Sequence, residues 1–178
     1  NRSRGVAAMI VTEPLNLLPR QRNPQKVMVL DPANAEGLRR WAEAVRAHDS
    51  HLIGQIQDPG RGRHQPGRVH DAFGASALAD DLSWTVPHAL ETEEVAQLVH
   101  DFAHAARIMR DAGFSGVEIS AGHGHLFHQF LAVRSNERTD RYGGDLAGRA
   151  RLLTDLCRRL REVCGADFLI GVKLPGED

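Results

Sequence analysis

Long apolar runs are missing from this sequence: no stretch approaches the roughly 18 to 20 consecutive apolar residues that cross a bilayer. The opening Asn1-Arg2-Ser3-Arg4-Gly5 has no signal-peptide core either. A cytoplasmic location is therefore the expectation, and a membrane is not among the expected partners. Excess charge of one sign is also missing. With 22 basic against 23 acidic residues and a net charge of -1, the chain offers no electrostatic footprint for nucleic acid. Lysine is scarce: only Lys26 and Lys173 among the basic residues are lysine, so arginine clusters partly reflect composition. Cysteine is as scarce. Cys157 and Cys164 lie in one helical segment, about 10.5 Å apart along its axis, too far to bridge. No CxxC occurs, and both read as reduced core residues. What is present, 42% hydrophobic and 25% charged residues in 178, is ordinary for a globular protein that handles small molecules or other proteins.

Four short runs rich in β-branched residues, Val6 to Thr12, His51 to Gln57, Gly116 to Ser120 and Phe168 to Leu174, alternate with segments of helical period. After Asp31-Pro32, Leu38, Trp41, Ala42 and Val45 mark one helix face. Thr92 is the expected N-cap of a second helix, with Glu93 and Glu94 in its first turn and Val95, Leu98, Val99, Phe102, Ala106 and Met109 as its apolar stripe; Gly113 ends it. A third helix is read through Leu146, Ala150, Leu153, Leu156, Cys157, Leu160 and Cys164, with Gly165 as its stop. The Gly- and Pro-rich span from Asp58 to Pro87 is too long for an ordinary connection. This order predicts an α/β fold with a parallel sheet and right-handed crossovers, either doubly wound or part of a barrel. Four strands are half of a (β/α)₈ barrel, and 178 residues fall short of the roughly 200 such a barrel needs.

In parallel α/β folds the loops that leave the carboxyl ends of strands build the site. The third strand, Gly116 to Ser120, leads into Ala121-Gly122-His123-Gly124-His125-Leu126-Phe127-His128-Gln129-Phe130-Leu131 and then Asn136-Glu137-Arg138-Thr139-Asp140-Arg141-Tyr142-Gly143-Gly144. With the Leu146-x-x-Arg149-Ala150-Arg151 helix that follows, this stretch resembles the old yellow enzyme family of FMN-dependent NAD(P)H:flavin oxidoreductases. Supporting matches are Thr12-Glu13, Gln55-x-x-x-x-Gly60-Arg61 and Ser83-x-x-x-Pro87, so the resemblance covers nearly the whole chain. It implies a partial TIM barrel, strands two to five of eight, in which residues 1–178 are a fragment of one FMN-binding domain.

The resemblance further implies roles for named residues. Gln55 would hydrogen-bond the flavin, Lys173 would place positive charge near its N1 and O2, and the backbone near Pro14 would pack on the ring. Ser120 and His123 stand where the family has its substrate-orienting donor pair, and His125 stands where it has a proton-donating Tyr; imidazole can do the same work near neutral pH. The implied cycle takes hydride from NADH or NADPH to FMN and passes it to an activated alkene such as an enone. The changed donor pair leaves a second reading open, oxidative dehydrogenation or N-demethylation of an amine. From another class, His123 and His125 look like the paired metal ligands of a barrel hydrolase. The resemblance also allows a homo-oligomer, and a 4Fe-4S cluster and FAD in a larger parent protein. The isolated chain is expected to be inactive, because a barrel's cofactor phosphate usually sits after strands seven and eight, and to be aggregation-prone through its open sheet edges.

Other polar residues have plainer readings. His128 reads as a packing or surface residue, and His100 and His104 as a solvated helix face, since neither an intervening Glu nor a third ligand accompanies them. Arg158, Arg159 and Arg161 read as the solvent side of the last helix. Arg138, Asp140 and Arg141 read as ion pairs that fix a loop.

Overall fold

The computed structural model describes residues 7–18, 26–62, 71–81 and 84–176. Strand β1 (Met9–Pro14), a 3₁₀ turn (Pro32–Asn34), helix α1 (Ala35–Arg46) and strand β2 (His51–Ile56) come first. The short strands β3 (Phe73–Gly74) and β4 (His88–Ala89), helix α2 (Thr92–Asp111) and strand β5 (Gly116–Ser120) follow. Helix α3 (Leu126–Leu131), a 3₁₀ turn (Val133–Ser135), helices α4 (Leu146–Arg149) and α5 (Arg151–Cys164) and strand β6 (Leu169–Lys173) complete the order.

The chain divides into two compact units. The first comprises residues 1–57, 100–119 and 157–172, the second residues 58–99, 120–156 and 173–178. All but the last residues of β5 and β6 belong with β1 and β2 in the first unit. The four form one sheet in the order β1-β2-β5-β6, with β1–β2 and β2–β5 parallel. Spatial order equals chain order, as successive βα crossovers require. The class is thus the expected α/β, a segment of a barrel.

Strand β1 runs two residues past the expected end at Thr12; Val6, its expected start, lies outside the described residues. The cause is a register shift between Val11 and Pro14, after which Pro14 pairs with Gln55 and the Leu15 N–H bonds the Gln55 carbonyl at 3.1 Å. Proline contributes no N–H, but at a strand end none is missed. Leu38, Ala42 and Val45 of α1 are buried, and Trp41 is half-buried, meeting Phe114 edge-on at 5.9 Å. On β2 a Cβ at Gly54 would fall on the Met109 side chain, so glycine leaves room for that side chain of α2 against the strand. The expected stripe of α2 is buried throughout. Gly113 and Gly165, at φ +97° and +83°, end α2 and α5 as anticipated.

Three local expectations are corrected. Thr92 is the first residue of α2, not its cap: its hydroxyl donates to Asp140, while Glu94 reaches back to accept the Glu91 N–H at 2.7 Å, as the acidic residue of a capping box does. The helix read through Leu146 is two helices. Asp145 caps α4 by accepting the Gly148 N–H, and Leu146 in this short first piece is 67% exposed. Arg161 is more than a solvent residue, since its Nη1 donates to the carbonyls of Gly165, Ala166 and Phe168 and so ties down the connection between α5 and β6. Both cysteines are free, Cys164 buried and Cys157 half-buried, and burial pushes both thiols up. The long span after Asp58 carries β3, which pairs in parallel with β4; Ser83 lies outside the described residues. Among the described residues no helix is long and apolar enough to cross a membrane.

Candidate active site

The residues singled out from sequence fall into two groups, one in each compact unit. Pro14 and Gln55 share the first, at the carboxyl ends of β1 and β2. Gln55 is 9% exposed and doubly fixed: its backbone N–H donates to Thr12 Oγ1 at 3.0 Å, and its side-chain Nε2 donates to Glu118 Oε1 at 2.7 Å. Glu118 is the register partner of Gln55 on β5, so the two side chains stand side by side on one face of the sheet. Among the described residues the Gln55 amide makes this one bond, which leaves its carbonyl oxygen and second N–H for a ligand. Glu118 escaped the sequence reading because a carboxylate inside a strand matches no spacing rule. The signal available was its period-two alternation with the apolar Val117 and Ile119.

Ser120, His123, His125 and Lys173 belong to the second unit. Ser120 ends β5 and is buried. Beyond it the chain makes a tight turn, in which the His125 N–H donates to the Gly122 carbonyl at 3.2 Å and the two central residues, His123 and Gly124, take φ of +59° and +74°. Two successive positive φ values are what a type I′ turn demands. At His123 they place a residue with a Cβ in the left-handed region, which costs of order 1 kcal/mol and persists only where surroundings enforce it. The turn exposes the His123 ring and buries that of His125, and the rings meet at 66° with centroids 6.2 Å apart. Lys173 closes β6 with an exposed side chain, and its carbonyl accepts the Ala121 N–H at 2.9 Å. The structure thus brings Lys173, Ser120, His123 and His125 to one strand-end loop.

Two residues hold that turn. His128 accepts the Gly124 N–H on Nδ1 at 2.9 Å, so it fixes the loop from within α3 instead of merely packing. Gln129, 2% exposed, donates from Nε2 to the carbonyls of Gly124 and Pro59 at 2.6 and 3.2 Å. It thereby joins the loop after β5 to the loop after β2. The Leu126 N–H adds a bond to the Asp58 carbonyl, and Asp58 Oδ1 accepts the Gly60 N–H. Gly60 takes φ +60°, and a Cβ there would lie 2.6 Å from the Gln129 amide, so both the turn and the close approach require glycine.

Farther along the same unit, Arg138 is the centre of the Asn136-to-Gly144 motif. Its guanidinium grips Asp140 at 2.5 and 2.9 Å and donates to the carbonyls of Ala75 and Leu90. Asp140 also accepts the Thr92 hydroxyl and the Tyr142 N–H. Arg138 above all, with Thr92 and Tyr142, holds the Asp140 carboxyl well below the usual range against the opposing effect of burial. Loop fixing by Arg138 and Asp140 is therefore observed, and Arg141 stacks over Tyr142 at 4.8 Å. His100 and His104 lie exposed on α2, and among the described residues no group of three or more His, Cys, Asp or Glu could hold a metal ion.

The profile of the NADH:flavin oxidoreductase / NADH oxidase family matches residues 1–178. A putative 12-oxophytodienoate reductase 9 of Oryza sativa subsp. japonica is 40% identical over 144 residues, 79% of this chain and 35% of that protein. Among solved structures, morphinone reductase in complex with tetrahydroNAD superposes with a TM-score of 0.83 at 29% identity, over 97% of this chain and 52% of that one. Old Yellow Enzyme from Pichia sp. AKU4542 gives 0.81 at 27% identity, over 97% and 48%. The chain spans about a fifth to a half of the length of the curated relatives it matches.

Proposed function

The chain belongs to the NADH:flavin oxidoreductase / NADH oxidase family, and we propose that the protein it forms part of takes hydride from NADH or NADPH and delivers it to an activated alkene such as an enone or enoate. The family displaces the barrel hydrolase reading of His123 and His125. FMN, when bound, supplies a carrier that accepts hydride from one substrate and releases it to another. The residues present fit such a group. Gln55 offers an acceptor and a donor side by side, the complement of the donor–acceptor edge of a pyrimidine-like ring, and Pro14 beside it offers an apolar surface free of competing N–H.

Within the second unit, this chain's own residues carry the substrate side. Ser120 and His123 would donate hydrogen bonds to the substrate carbonyl, drawing off the negative charge that develops there as the β-carbon is reduced. His125 would hold the proton that the α-carbon receives. Lys173 would keep a positive charge toward the flavin as its negative charge grows, as a point charge instead of the fork an arginine provides. The reading is carried by the enforced left-handed conformation of His123. Gln129 and His128 hold a strained turn, in the loop that follows Ser120, that presents this ring 6.2 Å from that of His125, and strain maintained in this way is a mark of a working site.

The test is anaerobic. In the full-length protein a flavin absorbance bleached by NADH or NADPH and restored by an enone supports the assignment, and His123→Ala should slow that restoration about 100-fold with flavin still bound. Bleaching by an amine, or restoration by every acceptor except an alkene, would transfer the assignment to amine dehydrogenation or demethylation. Unchanged turnover in the His123 variant would remove that residue from the site.

A further inference from the structure

A glutamine amide has two ends that differ only in whether they donate or accept, so a ligand pressed against Gln55 meets a defined edge only if something decides which end faces it. Among the described residues the hydrogen-bond partner of this amide is Glu118, whose Oε1 accepts from Nε2 at 2.7 Å. A carboxylate accepts and cannot donate, so the NH₂ end must face Glu118 and the carbonyl oxygen must point away. The backbone is held as well, by Thr12 Oγ1 at 3.0 Å. On the β6 side Gly171 carries no side chain to compete: a Cβ there would lie 3.9 Å from that of Glu118. Register, burial and charge therefore converge on one rotamer and one amide orientation.

We propose that Glu118 is a positioning residue for the flavin, fixing the Gln55 amide so that its carbonyl oxygen and remaining N–H face the ring edge. The inference rests on the flavin reading above and adds to it the residue that sets the polarity of the contact. Glu118 acts through Gln55 and touches neither substrate nor the reacting atoms. Without it the amide would spend part of its time reversed, offering donors to a ring N–H, and the ring would lose a matched pair of hydrogen bonds.

The experiment titrates FMN into flavin-stripped full-length protein and follows the quenching of flavin fluorescence. Glu118→Met, which keeps the chain length and removes the acceptor, should raise the FMN Kd about tenfold. Glu118→Gln, whose own carbonyl can accept from Nε2, should recover most of that loss. In the cycle with Gln55→Ala, the double variant should bind no more weakly than Gln55→Ala alone, because the removed interaction is shared. Far-UV circular dichroism of each stripped variant checks folding, and Glu118→Ala replaces the Met variant if that one does not fold. Wild-type affinity in Glu118→Met, losses that multiply in the double variant, or a Gln variant as weak as the Met variant would each overturn the positioning role. A wild-type protein that binds no FMN overturns the flavin reading beneath it, a result seen before any variant is compared.

Discussion

Replacing Asp140 by Asn removes one negative charge from a clamp in which Arg138 is only 9% and Asp140 30% exposed on their side chains. Asp140 accepts four hydrogen bonds, two of them from the guanidinium at 2.9 and 2.5 Å. Asn keeps the shape but offers a single accepting oxygen, so at least one guanidinium N–H and one further donor lose their acceptor while a nearly buried cation stays behind. Breaking a buried ion pair from one side costs about 3 to 5 kcal/mol, and the partial exposure of Asp140 puts the expectation at about 3. With a urea slope of about 2 kcal/mol per molar, the unfolding midpoint at pH 7 should fall by about 1.5 M. The acid side gives a second handle. Because the folded state holds the Asp140 carboxyl below its usual value, the unfolded chain binds the proton more readily, and stability rises with pH. The contribution is complete above the ordinary carboxylate pKa of about 3.9 and fades as pH falls toward the lowered folded value. The gap between wild type and Asp140→Asn should accordingly shrink as urea midpoints are measured from pH 7 down to about pH 3. Equal midpoints at pH 7, or a gap independent of pH, would refute the clamp as the source of this stability.

Gln129→Leu should leave the carbonyls of Gly124 and Pro59 without their donor; we expect a loss of about 2 kcal/mol and faster amide hydrogen exchange in residues 121–125, and unchanged exchange would show that the turn holds itself. Gly143→Ala should impair folding severely, because a Cβ there would sit 2.0 Å from the Arg138 carbonyl oxygen, a backbone atom with no rotamer to escape into; recovery of soluble protein at wild-type yield and urea midpoint would count against that close approach.

The periodic parts of the fold were legible because their physics is local. The stripe of α2 is buried where a 3.6-residue period puts it, and β5 occupies the residues Gly116 to Ser120 that a β-branched, alternating run marked. The misread places are those where a long-range partner overrides a local preference. Thr92 looks like a cap and spends its hydroxyl on Asp140, 48 residues away. Leu146 fits a helical stripe, yet α4 and α5 break at Ala150. β3 and β4 are two residues each, too short to show any period, and they exist because Phe73 and His88 find each other across the sequence.

The sequence by itself determined the family and the alternation of strands and helices, since motif spacing and hydrophobic period are properties of the chain read along its length. Tertiary structure decided the rest. Glu118 became the partner of Gln55 through the register of β2 and β5, 63 residues apart. Gln129 became the anchor of two loops because α3 lies over both. His123 takes its left-handed backbone in the turn that His128 and Gln129 hold through Gly124. Orientation and strain depend on what a side chain meets in space, and that is set only when strands from distant parts of the chain come into register.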